Sequence, residues 1–292
     1  MQLNGYSDGA EPMVITSAAC FILKKTTTHS CRLLYPNWCG FLLTPSKVIL
    51  LKSPKCQLPF ATTRDYLYAM DHRTAPDDNY RHKALRRELI QTLKGKGIKD
   101  ERVLTAIETI PRHFFLDSAF ERIAYEDRAF PISAGQTISQ PYTVAYQSEL
   151  LAVKKFDKIL EIGTGSAYQS CVLAELGAQV YTIERQKELY DFVGKFFFLK
   201  KYPNVRRFYG DGYEGLPSYA PFDKVIITAA APFIPPKLVE QLKPGGFIVV
   251  PVGSEGGQKM MRITKDKEGK IAEEVLGDFS FVPMLTGKNN AG

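Results

Sequence analysis

From residue 80 onward the chain places its apolar residues in two distinct periods. Leu85, Leu89 and Leu93 recur every fourth position with charges between them and run out at Gly95 and Gly97, which predicts an amphipathic helix. Asp100 then stands as an N-cap before Val103, Leu104, Ile107 and Ile110, and Pro111 closes a second helix. Farther on, short continuous apolar runs predict strands at 158–162, 179–184, 223–228 and 247–252, with helices at 168–176 and 187–200 following the first two. Strands of this kind joined through helices mean parallel βαβ units in a sheet covered on both faces. The last part differs: 260–265 and 271–275, joined by Lys267-Glu268-Gly269-Lys270, and then 279–284 predict three extended runs and an antiparallel end to the sheet.

Residues 1–69 sustain neither period and hold scattered prolines and the single tryptophan, Trp38. The reading is therefore an N-terminal extension over 1–79 that is not a domain, followed by one domain over 80–292, with Met70 as the natural start. Four of the five cysteines, Cys20, Cys31, Cys39 and Cys56, fall in that extension, and their spacings of 11, 8 and 17 match no zinc pattern, so no metal site is expected. Reduced thiols and a cytoplasmic setting follow. Neither 14–23, which is too short, nor 33–51, which Pro36, Pro45 and Lys47 interrupt, reads as a membrane span.

Charge adds one restriction. The chain is +7 over 292 residues, but residues 1–69 carry seven Lys and Arg against three Asp and Glu, which leaves only +3 for residues 70–292. No nucleic-acid partner is expected of a catalytic region so mildly basic.

The chemistry concentrates in Lys158-Ile-Leu-Glu161-Ile-Gly163-Thr-Gly165-Ser-Ala167-Tyr-Gln, a buried strand running into a tight turn and a helix. Glycines are needed where the backbone lets a ligand approach closely. Glu184 ends the next strand about 20 residues on, where doubly wound folds place an acid for ribose hydroxyls. A dinucleotide is disfavoured because Ala167-Tyr168-Gln169 is bulky where a pyrophosphate needs an open helix start. Gly210-Asp211-Gly212, after the third strand, offers an aspartate for an adenine amino group, or equally a plain Asp-Gly turn. Lys243-Pro244-Gly245-Gly246 reads as topology, a turn feeding the strand at 247–252.

With Glu161–Tyr168, Gly210–Gly212, Leu242–Gly246 and above all Gly135-Gln-Thr-Ile-Ser-Gln-Pro141 on the page, residues 80–285 resemble the protein-L-isoaspartate (D-aspartate) O-methyltransferases in a bacterial-like form. The resemblance implies an α/β fold of the class I methyltransferase type: a Rossmann-like α/β/α sandwich, mostly parallel, with an antiparallel C-terminal portion and added N-terminal helices. It implies S-adenosylmethionine as cofactor, isoaspartyl-containing proteins and peptides as partners, no membrane, and a monomer. Position by position it implies Ser139 and Thr137 as catalytic, and Ile138, Glu161, Gly163, Gly165, Glu184, Asp211 and Gly212 as cofactor-binding. Ala167 stands where that family usually has glycine, and Tyr142 and Val144 stand where its eukaryotic members have histidines.

Two other functions compete. A nucleic-acid methyltransferase would want an Asn/Asp-Pro-Pro-Tyr/Phe motif after the fourth strand, where Thr228-Ala-Ala-Ala-Pro232 stands instead. A silent cofactor-binding protein would show no turnover. A hydrolase is set aside, since none of the four histidines accompanies Ser139 in a triad pattern. A carboxylate acceptor, with a pKa near 4, is ionised at neutral pH and needs no general base, in keeping with the lack of one. Phe196-Phe-Phe198 reads as partly core rather than as a partner surface.

Overall fold

The computed structural model describes residues 40–44, 47–51, 77–254 and 257–290. Its contacts divide the chain into two units, Met1–Thr62 and Thr63–Gly292. In the first, β1 (Gly40–Thr44) pairs antiparallel with β2 (Lys47–Leu51), Gly40 facing Leu51. The sequence pattern predicts no strands there, because two five-residue runs are too short to sustain a period. Met70, Trp38, Cys20, Cys31, Cys39 and Cys56 lie outside the described residues.

The second unit begins with the two expected helices, α1 (Tyr80–Gly95) and α2 (Glu101–Thr109). Asn79 Oδ1 accepts the N–H groups of Arg81 and His82 at 3.0 and 3.2 Å, and Asp100 Oδ1 accepts that of Arg102 at 2.9 Å, so both starts are capped by side chains. The predicted faces are the buried ones: Leu89 and Leu93 of α1, and Val103, Leu104 and Ile107 of α2, join one core cluster. A small hairpin follows, β3 (Phe130–Pro131) against β4 (Thr137–Ile138), and leads into α3 (Pro141–Leu151). The sequence reading places no helix over 141–151. Its buried positions include Thr143, Gln147 and Ser148, so no apolar stripe marks it.

The rest is the sheet. In chain order come β5 (Lys158–Ile162), α4 (Tyr168–Glu175), β6 (Gln179–Glu184), α5 (Lys187–Lys195), β7 (Val205–Tyr209), β8 (Phe222–Ile227), α6 (Pro236–Glu240), β9 (Leu242–Ser254), β10 (Gly257–Lys265) and β11 (Ile271–Phe279). They form one seven-stranded sheet in the order β11-β10-β9-β8-β5-β6-β7. The pairs from β7 across to β9 are parallel and the two pairs of β10 are antiparallel, as the sequence predicts. Side chains alternate between faces: Ile159, Val180, Ile226 and Val249 join the cluster with α1–α4, while Leu160, Ile162, Ile183, Val225 and Ile227 pack with Leu238 of α6. Among the described residues no helix is long and apolar enough to cross a membrane.

Two expectations change. The helix expected over 187–200 ends at Lys195 and gives way to a short 3-10 turn, Phe197–Lys201, in which Phe198 is buried and Phe196 and Phe197 pack against Phe114 and Phe115. The third extended run, 279–284, is no strand of the antiparallel group. β11 absorbs Phe279, and the chain then crosses to the end of β8, where Ala230 N–H donates to Val282 O at 2.8 Å and Met284 N–H to Ala230 O at 2.7 Å. β7 is the strand whose bounds the sequence leaves open, since Arg206 and Arg207 interrupt its apolar run.

Candidate active site

β5 sits between β6 and β8, and the chain leaves it upward into a turn that those neighbours hold in place. The N–H groups of Gly163 and Thr164 donate to Ile183 O at 2.9 and 3.2 Å, and Thr228 N–H donates to Ile162 O at 3.0 Å. Thr228 Oγ1 also donates to the carbonyls of Ile162 and Gly163, at 2.9 and 2.8 Å. At Gly163, φ is +97° and a Cβ would lie 2.6 Å from that hydroxyl, so glycine is required twice over. Ala167, in contrast, carries its methyl group at φ +67° as the cap of α4, fully buried. The departure from glycine leaves the turn intact and strains one residue.

Beyond these strand ends lies a cavity of about 850 Å³, open solvent at its mouth included. Its floor is Gly163–Ser166; Glu184 from β6, Gly212 and Thr228 form its sides; Thr137–Ser139 and the 282–285 segment complete it. Glu184 Oε2 accepts Gly165 N–H at 2.9 Å and Oε1 accepts Gln186 N–H at 2.8 Å. Burial raises its pKa, against the pull of those N–H groups. A Cβ on Gly212 would meet Ile162 Cγ2 at 2.4 Å, so that wall is also glycine by necessity. Gln169 also lines the cavity, and its Oε1 is buried without a hydrogen-bond partner.

Another wall comes from the returning arm of the β3–β4 hairpin. Thr137 is exposed, Ile138 is buried and Ser139 is half-buried. Behind Ser139 the backbone is held by side chains. Arg112 Nη2 donates to Ser139 O at 2.9 Å, and Asp127 accepts Tyr142 N–H at 2.7 Å and the Gln140 amide at 3.1 Å.

The geometry thus brings together Thr137, Ile138, Ser139, Gly163, Gly165, Glu184 and Gly212. It sets two expected cofactor residues apart. Glu161 alternates with Leu160 and Ile162 and so faces α4, fully buried, accepting the Ser170 hydroxyl; burial pushes its carboxyl up to about 7 despite the pull of the nearby Ser170 and Thr182 hydroxyls. Asp211 is not among the residues that line the cavity; its oxygens accept the N–H groups of Tyr213 at 2.9 Å and Gly287 at 2.7 Å. Sequence reasoning missed Thr228, Gln169, Asp127, Arg112 and the 282–285 wall. Only Thr228, at the end of an expected strand, carried a positional signal.

One cluster lies elsewhere: donor atoms of Asp78, His82 and His113 come within 4.8 Å of one another. Arg86 holds both Asp78 oxygens at 2.7 and 2.9 Å, and both His113 nitrogens have partners, Tyr125 Oη and Asp77 O. A cation there would face the Arg86 guanidinium, so the group is better suited to bracing the helices than to holding a metal.

The chain is similar to known proteins. The protein-L-isoaspartate(D-aspartate) O-methyltransferase family model matches residues 84–289. A protein-L-isoaspartate O-methyltransferase of Christiangramia forsetii is 53% identical over 216 residues, 73% of this chain and 99% of its own. One of Flavobacterium johnsoniae is 54% identical over 212 residues, with coverage of 73% and 99%. Among solved structures, a protein-L-isoaspartate O-methyltransferase superposes with a TM-score of 0.63 at 25% identity, covering 70% of this chain and 67% of that one. A Plasmodium falciparum chain described as the same enzyme, solved with S-adenosyl-L-homocysteine, gives 0.60 at 26% identity, covering 70% and 98%. The fold is the Rossmann-like class I arrangement, and the chain belongs to the protein-L-isoaspartate(D-aspartate) O-methyltransferase family.

Proposed function

We propose that this chain transfers a methyl group from S-adenosylmethionine to the free α-carboxylate of L-isoaspartyl residues in damaged proteins, whose methyl ester then closes to a succinimide and begins repair. The observation that carries the reading is the meeting of the glycine turn, Glu184 and Thr137–Ser139 around one cavity. The residues fit the cofactor: Gly163, Gly165 and Gly212 present bare backbone to the cavity, and Glu184 beside them is a carboxylate with lone pairs to spare for ribose hydroxyls. When bound, S-adenosylmethionine supplies an electrophilic methyl on a cationic sulfur.

The chain's own residues do the remainder. Gly163, Gly165 and Gly212 admit the nucleoside, and Glu184 anchors it. Ile138 covers it with an apolar surface. The Ser139 hydroxyl, with Thr137 beside it, donates to the acceptor carboxylate and keeps one of its oxygens in line behind the methyl. No proton has to be removed, so orientation does the work, and it can supply about 7–11 kcal/mol. Glu161 acts beneath the turn, bonded to α4, and Asp211 positions its loop. A monomer in a cytoplasmic setting belongs to the same proposal. The site belongs to residues 80–292, with 1–79 as an extension.

The test is methyl transfer from labelled S-adenosylmethionine to a peptide with one L-isoaspartyl residue, beside its L-aspartyl twin and a tRNA. Label on the isoaspartyl peptide alone, released as methanol by alkali, is expected. Label on the tRNA, or on none of the three with cofactor binding intact, overturns the proposal.

A further inference from the structure

Arg112 is the bulkiest of the fully buried side chains and, among the described residues, forms no ion pair. Its Nε donates to Ala124 O at 3.1 Å, and its Nη2 to Ser139 O at 2.9 Å and to Arg128 O at 3.5 Å. Nη1 is buried without a hydrogen-bond partner. The guanidinium lies over the Tyr168 ring, 4.9 Å from its centre, and Tyr168 in turn lines the cavity. The acid that acts on it from farther away, Asp127, is engaged by Lys96 at 2.6 Å and by the start of α3.

A guanidinium out of water with no carboxylate against it is an expensive way to fill a core, and an apolar side chain of similar volume would pack there at lower cost. Burial lowers the Arg112 pKa only to about 10, so the charge persists at neutral pH. What the arginine does that an apolar residue cannot is hold the Ser139 peptide and set a positive charge behind it, on the side of the cavity where an anionic acceptor has to dock.

We propose that Arg112 is a positioning residue for the methyl acceptor: its fork fixes the Ser139 backbone, and its charge, with no carboxylate in contact, draws the acceptor carboxylate toward the Ser139 hydroxyl. The inference rests on the proposed function. It differs from a packing role in acting on the acceptor and leaving the cofactor alone.

Arg112→Met and Arg112→Lys separate these roles. For each, kcat and KM are measured on the isoaspartyl peptide, S-adenosylhomocysteine affinity by calorimetry, and the thermal midpoint by scanning. In Arg112→Met, kcat/KM is expected to fall by roughly thirtyfold or more, mainly through KM, while cofactor-product affinity stays within about threefold. Arg112→Lys keeps the charge without the fork and is expected to fall by about three- to tenfold. If Arg112→Met does not fold, the lysine variant carries the test. Retained kcat/KM in the variants, a loss that tracks S-adenosylhomocysteine affinity, or failure of the lysine variant to fold overturns the inference. A wild-type protein that leaves the isoaspartyl peptide unlabelled overturns the proposed function itself, which is a different result.

Discussion

The glycine-turn wall of the cavity hangs from the parallel ladder: Ile183 O, Ile162 O and the Thr228 hydroxyl tie it to β6 and β8 through backbone geometry. The Thr137–Ser139 wall has only a two-residue ladder of its own and is fastened from behind by the side chains of Arg112 and Asp127. One wall is therefore intolerant of added atoms and the other of lost polar groups. That contrast suits the proposed division of labour, with the cofactor held by a shaped backbone and the acceptor by placed charges and hydroxyls.

The harshest way to break the first wall is Gly163→Ala. A Cβ would lie 2.6 Å from a hydroxyl that is itself bonded, at a φ of +97°. With a left-handed cost of about 1–2 kcal/mol before any clash, S-adenosylhomocysteine affinity should fall by roughly a hundredfold. Calorimetry that finds an unchanged affinity would show that this turn yields where the geometry says it cannot.

Glu161 tests the ladder from beneath. Its pKa, about 7 when folded, lies above the ordinary carboxylate value, so the folded state holds the proton more tightly. Ionisation therefore costs stability, which is intact below the unfolded pKa of about 4.3 and is lost as pH rises through about 7, by an order of 3 kcal/mol. Glu161→Gln should flatten the urea-unfolding profile between pH 5 and 8; equal slopes for both proteins would mean that Glu161 is not the group that titrates.

On the acceptor wall, Ser139→Ala removes one hydrogen bond to a charged group, worth about 1.5–3 kcal/mol, so methyl transfer should drop by roughly ten- to a hundredfold. S-adenosylhomocysteine binding should stay within about twofold, and a parallel loss of both would move Ser139 onto the cofactor wall. The smallest effect belongs to Ala167→Gly. Relief of the left-handed methyl, offset by the freedom glycine gains in the unfolded chain, should raise stability by about 0.5–1 kcal/mol, readable as a small upward shift of the unfolding midpoint.

The same contrast governs what the sequence made legible. β5 and β6 match their predicted bounds because buried parallel strands are continuous apolar runs, and the residues that end them, Gly163 and Glu184, were found with them. The face of Glu161 was not foreseen, although the alternation with Leu160 and Ile162 contained it. α3 left no period because its buried side is partly polar, and 279–284 looks like a strand but is drawn to the end of β8 by Ala230. Arg112 could not have been singled out: one arginine after a helix-ending proline has no pattern, and its meaning arises only from a contact 27 positions away.

Cys171 turns the buried start of α4 into a clock. It is fully buried in the helix that the glycine turn launches, and burial holds its thiol well above the ordinary range, so it is protonated and shielded from reagents. Alkylation has to wait for that helix to leave the sheet. The rate of mass-resolved labelling at Cys171 therefore counts openings of the cofactor wall, and its slowing with added S-adenosylhomocysteine would convert ligand binding into a local opening free energy.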